Sequence, residues 1–505
     1  MTNMQQYQGQ AATVAAEPRY GQWRRPRTAG LLGLGTMFTV IALVWVLFAL
    51  SAMMFWPLLG WILIGIGVVG LAPLAIKVGG RSVYSLAVAR LAYRRGHRRG
   101  QHLLLNGPLG LVPGGKHRLP GILAASEMHE AQDSYGRPFG LIRQQGHYTA
   151  VLRCDASGDQ LVDRDTVDTW VAGWGSWLAK LGQIPGLAGV AVTIETAPDS
   201  GERLRTEVAK LTDNSSGPAL AKQVLREAAE DYPLAAAQVI SRVALTFRSK
   251  VSDAAKPRSL EEMAVEIGSR LPELGKELAL TGAGAARPMT AQQLAELVFA
   301  AYNPAEADDA DAARHAALGT GITWENSGPS GTAHELRDRY IHGSGHSVVF
   351  AMEEAPRGAV LSSVLREFLA PHMDFDRKRV TLIYRPHDPG RSATIVERDL
   401  RHAKTNASKR KVVSARDDAD VRAAQQSTDE EASGAGIVSF SLLATATVIE
   451  LEDLPQATRT LHNLSATARL RLRTVYGGQS AAFAAGLGVG VLPHAFATIS
   501  TLFEE

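Results

Sequence analysis

Hydrophobic and polar positions divide the chain into two unlike parts. From Thr28 to Ile76, forty-nine consecutive residues include no Asp, Glu, Lys, Arg or His, whereas one bilayer crossing takes about 20 apolar residues as a helix. This stretch predicts a transmembrane hairpin, with one span over roughly Leu31 to Ser51 and a second over Leu58 to Ile76. The turn is expected near Met53 to Pro57, because Pro57 has no amide to give to an interior helical ladder. Phe55, Trp56 and Trp61 gather there, as aromatic side chains do at a membrane surface. A secretory signal would have an apolar region of only about 7 to 15 residues. The Arg24-Arg25 pair is set aside as a twin-arginine signal because Pro26 and the long apolar run follow it.

Beyond residue 118 the pattern changes to short alternating or apolar runs separated by turns. Phe139 to Ile142 and Tyr148 to Arg153 predict two strands joined at Gln145-Gly146. Val167, Trp170, Val171, Trp174, Leu178 and Leu181 recur at helical spacing behind Asp163 or Asp165, and Gly182 stops the pattern. Strands follow over Val190 to Thr196 and Ala237 to Arg248, with a helix over Ala219 to Ala229 between them. Ser259 with Glu262 and Thr290 with Gln293 form capping boxes for helices reaching Leu271 and Pro304. Ala305 to Ala312 reads as an acidic mobile segment. Later come strands at Ser347 to Met352, Val380 to Arg385 and Ile437 to Leu451, helices at Val360 to Leu369 and from Asp453 to Leu470, and a short strand ending at Tyr476.

The expected fold class is an α/β (α+β) cytoplasmic body behind an N-terminal two-helix transmembrane hairpin. Its divisions are a cytoplasmic tail, 1–27; the hairpin, 28–76; a basic juxtamembrane segment, 77–118; a first α/β module, 119–255; and a second, 256–505, with a polar helical excursion at 392–433. Charge supports that division. Residues 1–118 hold thirteen Lys or Arg and only Glu17 as an acid, leaving forty basic and forty-nine acidic residues in the remainder of a chain whose net charge is +3. Arg24, Arg25 and Arg27 before the apolar run, and Lys77 with the arginines up to Arg99 after it, predict an inner-membrane, multi-pass protein with both termini cytoplasmic. The basic segment is suited to anionic lipid. A single cysteine, Cys154, excludes an intrachain disulfide.

No motif assembles a catalytic, cofactor-binding or metal site. Gly110 to Lys116 has P-loop spacing, but His117 stands where Mg²⁺ needs a hydroxyl, and Pro120-Gly121 leaves no room for the helix that must face the phosphates. His334-Glu335 lacks the second histidine of a zinc-protease helix, because Asp338 occupies that position. His342 and His346 flank Gly343-Ser344-Gly345 and are expected in a solvated loop. Cys154 has no activating neighbour in sequence, and the glycine runs 343–345 and 486–490 lack the context of a dinucleotide fold.

The order of elements resembles the N-terminal, non-motor domain of the transfer ATPases of type IV secretion systems. The resemblance lies in Phe139-Gly-Leu-Ile, Tyr148-Thr-Ala-Val-Leu-Arg153, the tryptophan-bearing helix, Ala191-Val-Thr-Ile-Glu-Thr196, the charged excursion, Ile437-Val-Ser-Phe-Ser-Leu442, and Ser480-Ala-Ala-Phe483 leading to Leu492-Pro493. The 28–76 hairpin is similar to the small inner-membrane subunit encoded ahead of that ATPase. Together they resemble a fused membrane subunit of actinobacterial conjugative elements. What this implies is a scaffold that tethers a separate motor ATPase, contacts other inner-membrane subunits and works in an oligomeric assembly, without an enzymatic site of its own. The two-span plan with an α/β body also resembles the E component of type VII secretion core complexes, and Arg118-Leu-Pro-Gly-Ile-Leu-Ala124 suits either. A membrane-anchored enzyme is the third reading, requiring a site built from distant residues.

The missing hydroxyl after Lys116 generates a direct test. Purified protein is expected neither to bind nor to hydrolyse ATP, and saturable nucleotide binding that Lys116→Ala abolishes would overturn this.

Overall fold

The computed structural model describes residues 19–21, 23, 36–78, 81–108, 110–156, 158, 162–199, 201–214, 216–231, 237–250, 255–315, 319–356, 359–408, 415–432, 434 and 436–496. Most of the expected tail with Arg24, Arg25 and Arg27, the beginning of the first expected span, and Lys409 to Lys411 lie outside them.

A short strand, β1 (Arg19–Gly21), pairs with Ala359–Leu361 of the body. The apolar stretch then forms two helices, α1 (Thr36–Phe55) and α2 (Pro57–Ala75). Pro57 opens the second, the position at which its fixed φ and missing amide cost nothing. The helices approach closely: the Trp45 indole donates to the Leu63 carbonyl at 3.0 Å, and a Cβ on Gly67 would lie 2.5 Å from the Trp45 ring nitrogen. Side chains are described for 40–55 and 57–70 of this pair, each stretch shorter than the about 20 residues of one crossing. No helix among the described residues is long and apolar enough to cross a membrane. The expected transmembrane hairpin, and with it the multi-pass inner-membrane location with both termini cytoplasmic, is corrected on that ground. The chain continues through β2 (Lys77–Val78), β3 (Arg81–Ser82) and the arginine-rich α3 (Val83–Arg98).

The body is a mixed α/β structure around a thirteen-stranded sheet. It begins with β4 (Leu103–Leu105), β5 (Glu127–Gln132), β6 (Pro138–Gln144) and β7 (His147–Asp155). Next come α4 (Arg164–Leu181), β8 (Leu187–Pro198), α5 (Glu202–Asp213), α6 (Ala219–Asp231) and β9 (Ala237–Arg248). The half closes with α7 (Leu260–Leu278), β10 (Ala285–Pro288) and α8 (Ala291–Tyr302), and α9 (Ala307–His315) follows it. The next stretch holds β11 (Thr332–Glu335), β12 (Tyr340–His342), β13 (Gly345–Glu354), β14 (Ala359–Leu361), α10 (Arg366–Leu369) and β15 (Arg377–Pro386). After it come α11 (Pro389–Ser408), α12 (Ala415–Ala432), β16 (Val438–Val448), α13 (Leu454–Thr467), β17 (Arg471–Thr474), α14 (Gln479–Gly486) and α15 (Pro493–Phe496).

Three expectations for single elements change for identifiable reasons. The helix expected over Val360 to Leu369 is instead strand β14, a 3-10 turn over Ser362–Leu365 and the four-residue α10, because Val360 pairs with Tyr20 of β1. α7 runs past Pro272 instead of stopping at Leu271, because the Gly268 carbonyl that the proline leaves without an amide accepts from Ser134 N–H. The acidic segment expected to be mobile forms α9, where Arg314 bridges Asp311 and the buried Glu296 of α8.

The strand order, β4-β11-β12-β13-β16-β15-β8-β9-β7-β6-β5, contains an internal repeat. Moving outward from the central pair β15 and β8, one meets β16 or β9, then β13 or β7, then β12 or β6, then β11 or β5. β17 pairs with β13 just as β10 pairs with β7. Registers agree residue by residue. Thr149 opposes Thr246 across β7 and β9, as Ser347 opposes Thr447 across β13 and β16, each pair joined through its hydroxyls at 3.0 Å and 2.7 Å. Aligning these pairs superposes Thr193 on Thr381, and those two oppose each other across the centre with their hydroxyls 3.0 Å apart. A pseudo-dyad therefore passes between them. The first repeat includes α7, β10 and α8, beyond residue 255.

Alternation along the strands supplies both faces. One face is covered by α8, α14 and the segment after α14: Leu294, Val298, Phe483, Leu487 and Leu492 lie against Ala191, Ala244, Val349, Ile383 and Leu443. On the other face the halves have separate cores. α4 and α7 put Trp177, Leu181, Met263 and Ile267 on Leu152, Val190 and Leu245. α10 and α13 put Phe368, Leu454 and Leu461 on Phe350, Val380 and Ala444. The tryptophan-bearing helix thus turns its aromatic face to the sheet.

The dyad makes an asymmetric prediction. Thr381 donates to the Gly486 carbonyl at 2.8 Å, so it is Thr193 that donates to Thr381. Thr193→Val should cost under about 1 kcal/mol, whereas Thr381→Val leaves a buried donor and a buried carbonyl unpaired and should cost about 1–3 kcal/mol. Urea denaturation of both variants checks the order.

Candidate functional site

Beside the pseudo-dyad, charged side chains enter the face beneath α14. Glu195 on β8, Arg242 on β9 and Arg379 on β15 are all buried, and Arg377 stands at their edge. Arg242 reaches Glu195 at 2.7 Å and donates to the Leu487 carbonyl at 3.2 Å. Arg377 donates to the other Glu195 oxygen at 3.2 Å. Arg379 is 3.9 Å from that oxygen, too far for a hydrogen bond, and lies 4.5 Å above the centre of the Phe483 ring. Burial alone would raise the Glu195 pKa; Arg242, then Arg379 and Arg377, outweigh it and bring it down to about 2. Burial lowers Arg379 to about 10, against the pull of Glu195.

A second buried chain runs through β12, β13 and β16. His342 Nδ1 lies 2.8 Å from the Tyr302 carbonyl and Nε2 lies 2.7 Å from Ser347 Oγ, which in turn meets Thr447 Oγ1 at 2.7 Å. A carbonyl only accepts, so Nδ1 carries the proton, Nε2 accepts from Ser347, and Ser347 accepts from Thr447. This is half of a nucleophile arrangement. Yet His342 and Ser347 are both 0% exposed, so no substrate reaches them and the chain serves the fold. Burial brings the His342 pKa down to about 3, despite the opposing hydrogen bond to the Tyr302 carbonyl. The expectation of a solvated loop at His342 is therefore corrected: Tyr340, Tyr302 and Phe483 enclose its ring.

The other motifs are placed apart. Lys116 follows a 3-10 turn, Pro113–Gly115, and pairs at 3.6 Å with Glu325 on the surface. His334 and Glu335 lie on β11 rather than on a helix. There His334 faces His102, which stacks on His97 of α3 at 3.7 Å between ring centres, so the row fastens α3 to the body. Burial lowers the His102 pKa, with His97 and His334 adding to it. Cys154 is buried, its thiol pushed up to about 11 by burial. In the 486–490 run, Gly488 has φ +68 and comes so close that a Cβ would meet Thr193 Oγ1 at 2.3 Å; its glycine lets the backbone rest on the dyad. Among the described residues no group of three or more His, Cys, Asp or Glu is placed to hold a metal ion.

Glu195, Arg242, Arg377 and Arg379 were not legible as a site in the sequence: Glu195 and Arg242 each stand singly within a largely apolar strand run, and Arg377 and Arg379 belong to the basic run Arg377-Lys378-Arg379 that opens another. The available signal was a charged residue inside a strand apolar on both sides.

A family model described as a domain of unknown function (DUF8461) matches residues 27–85, the helical hairpin and the start of α3. No curated protein matches the chain.

The buried imidazole generates a pH test. Its folded pKa lies below the unfolded value of about 6.5, so its contribution is complete above that value and is lost as pH falls toward about 3. Between pH 7 and pH 5 His342 alone should cost about 2 kcal/mol, before Glu195 begins to protonate. Urea midpoints at both pH values should show the loss, and His342→Gln should reduce it, with buried His494, brought down to about 4 by burial, accounting for part of what remains.

Proposed function

We propose that the protein is a docking component of a type IV-like secretion or conjugation machine, a non-catalytic subunit whose body engages a separate motor ATPase. The observation that carries this reading is apolar surface left outside the molecule's own cores. α5 and α6 stand off the sheet between β8 and β9, and Leu204, Leu211, Leu220, Val224 and Leu225 on them are exposed. Leu220 and Val224 are four residues apart and share one helix face. Contiguous exposed apolar patches on a folded protein mark interaction sites.

The α1–α2 hairpin presents a second such surface through Leu43, Leu47, Trp61 and Ile62. Other subunits of the assembly would cover it. The charged residues inside the sheet are closed to substrates, which suits a subunit that positions a motor rather than performing chemistry. The resemblance in element order to the non-motor domain of transfer ATPases supports the same partner.

The full-length protein should co-purify with the motor ATPase of its machine. Leu211→Glu with Val224→Glu should weaken that binding at least about tenfold and leave the thermal midpoint nearly unchanged, since both positions are exposed. Recovery of the full-length protein alone, under conditions where other members of the complex stay together, would remove the reading.

A further inference from the structure

We propose that the arginine cluster beside the pseudo-dyad binds a small inorganic anion on Arg379. Three observations meet there. Nε, Nη1 and Nη2 of Arg379 all lack a hydrogen-bond acceptor, as does Nη1 of Arg242, although both residues are 1% exposed. Charge is also out of balance. Arg377 lies at the edge of the cluster, partly exposed, where solvent screens its charge. The interior then holds Arg242 and Arg379 against the single carboxylate of Glu195, an excess of one positive charge. Water would satisfy N–H groups but would not supply the missing charge, whose burial without a counter-charge is strongly unfavourable. The Phe483 ring offers Arg379 one face only, leaving the in-plane N–H groups for an anion.

The repeat provides the third observation. Under the pseudo-dyad Glu195 corresponds to Ile383, Arg242 to Leu443 and Arg379 to Ala191, and those three form part of an apolar core. The same backbone closes its other half with hydrocarbon, so the fold itself does not require ions at this place. The charged set, drawn from both repeats, is an addition on one side of the pseudo-dyad, and its uncompensated cation points to a ligand.

The test uses the full chain at constant ionic strength, with sodium gluconate replaced stepwise by chloride, bromide or phosphate. The thermal midpoint should rise and saturate with the anion that fits, since a ligand held only by the folded state stabilises it. The arms separate a halide site from an oxyanion site. Arg379→Met should abolish the dependence. Glu195→Gln removes the competing carboxylate while keeping an acceptor for Arg242, and should tighten anion binding roughly tenfold. That gain cannot arise from misfolding, so it keeps the proposal testable if Arg379→Met does not fold. A midpoint that follows every anion as it follows gluconate overturns the proposal, as does a saturable rise that Arg379→Met leaves intact or an affinity that Glu195→Gln leaves unchanged.

Discussion

The pairing of β8 with β15, from Thr196 opposite Lys378 to Val190 opposite Tyr384, is the constraint on which the rest of the body depends. It joins two half-sheets that would otherwise each end in a long strand with unpaired amides and carbonyls, the kind of edge that folded proteins cover. Its register is held from both sides. A slip by one residue would carry Glu195, Arg379 and Thr381 into the helix-covered cores of the opposite face and bring Val190, Val192 and Val380 under α14. Thr193 and Thr381, hydrogen-bonded at the centre with the Gly486 carbonyl beyond, mark the one alignment in which polar groups meet polar groups.

Around that centre the repeat is kept in backbone and changed in chemistry. The hydroxyl pairs Thr149–Thr246 and Ser347–Thr447 recur at matching positions, so they belong to the shared scaffold. His342 joins only the second of them, turning a hydroxyl pair into a chain that reaches the Tyr302 carbonyl. The arginines and Glu195 occur on one side alone. Where two copies of a fold element share geometry but differ in buried charge, the charge answers to something other than folding, because a hydrophobic replacement is already present in the partner copy and is often the more stable choice.

Local structure was largely legible in the sequence, because it rests on local physics. The capping boxes at Ser259 and Thr290 form as the residue pattern requires, the Gln145-Gly146 turn takes positive φ at both residues, and the apolar strand runs become β6 to β9, β13, β15 and β16. What failed depended on distant partners. Pro272 reads as a helix end unless Ser134 is known to take the freed carbonyl, and the acidic run at α9 reads as mobile unless Arg314 and Glu296 are seen together. The arginine cluster draws on three strands far apart in sequence, and the strand pairing that unites them follows no local signal. The hairpin shows the converse: its helices were evident from composition, but the length of apolar helix among the described residues does not amount to a crossing.

The two helical excursions show how far the halves have diverged in surface as well as in core. α5 with α6, and α11 with α12, leave the sheet at corresponding places, after β8 and after β15. Because those strands are antiparallel, the excursions depart from opposite ends of the sheet. α11 and α12 pack on each other and bury Val396, Ala403 and Ala424, leaving a mainly polar exterior that water solvates. Among the described side chains of α5 and α6 only Val208, Thr212 and Ala229 are buried, and the larger apolar ones are left outside. A helix pair that satisfies its own hydrophobic faces needs no partner, whereas one that does not loses stabilisation for every apolar side chain left in water. The asymmetry in exposed apolar surface therefore falls on the first repeat, the same half that carries Glu195 and Arg242, whereas the helix pair of the second closes on itself.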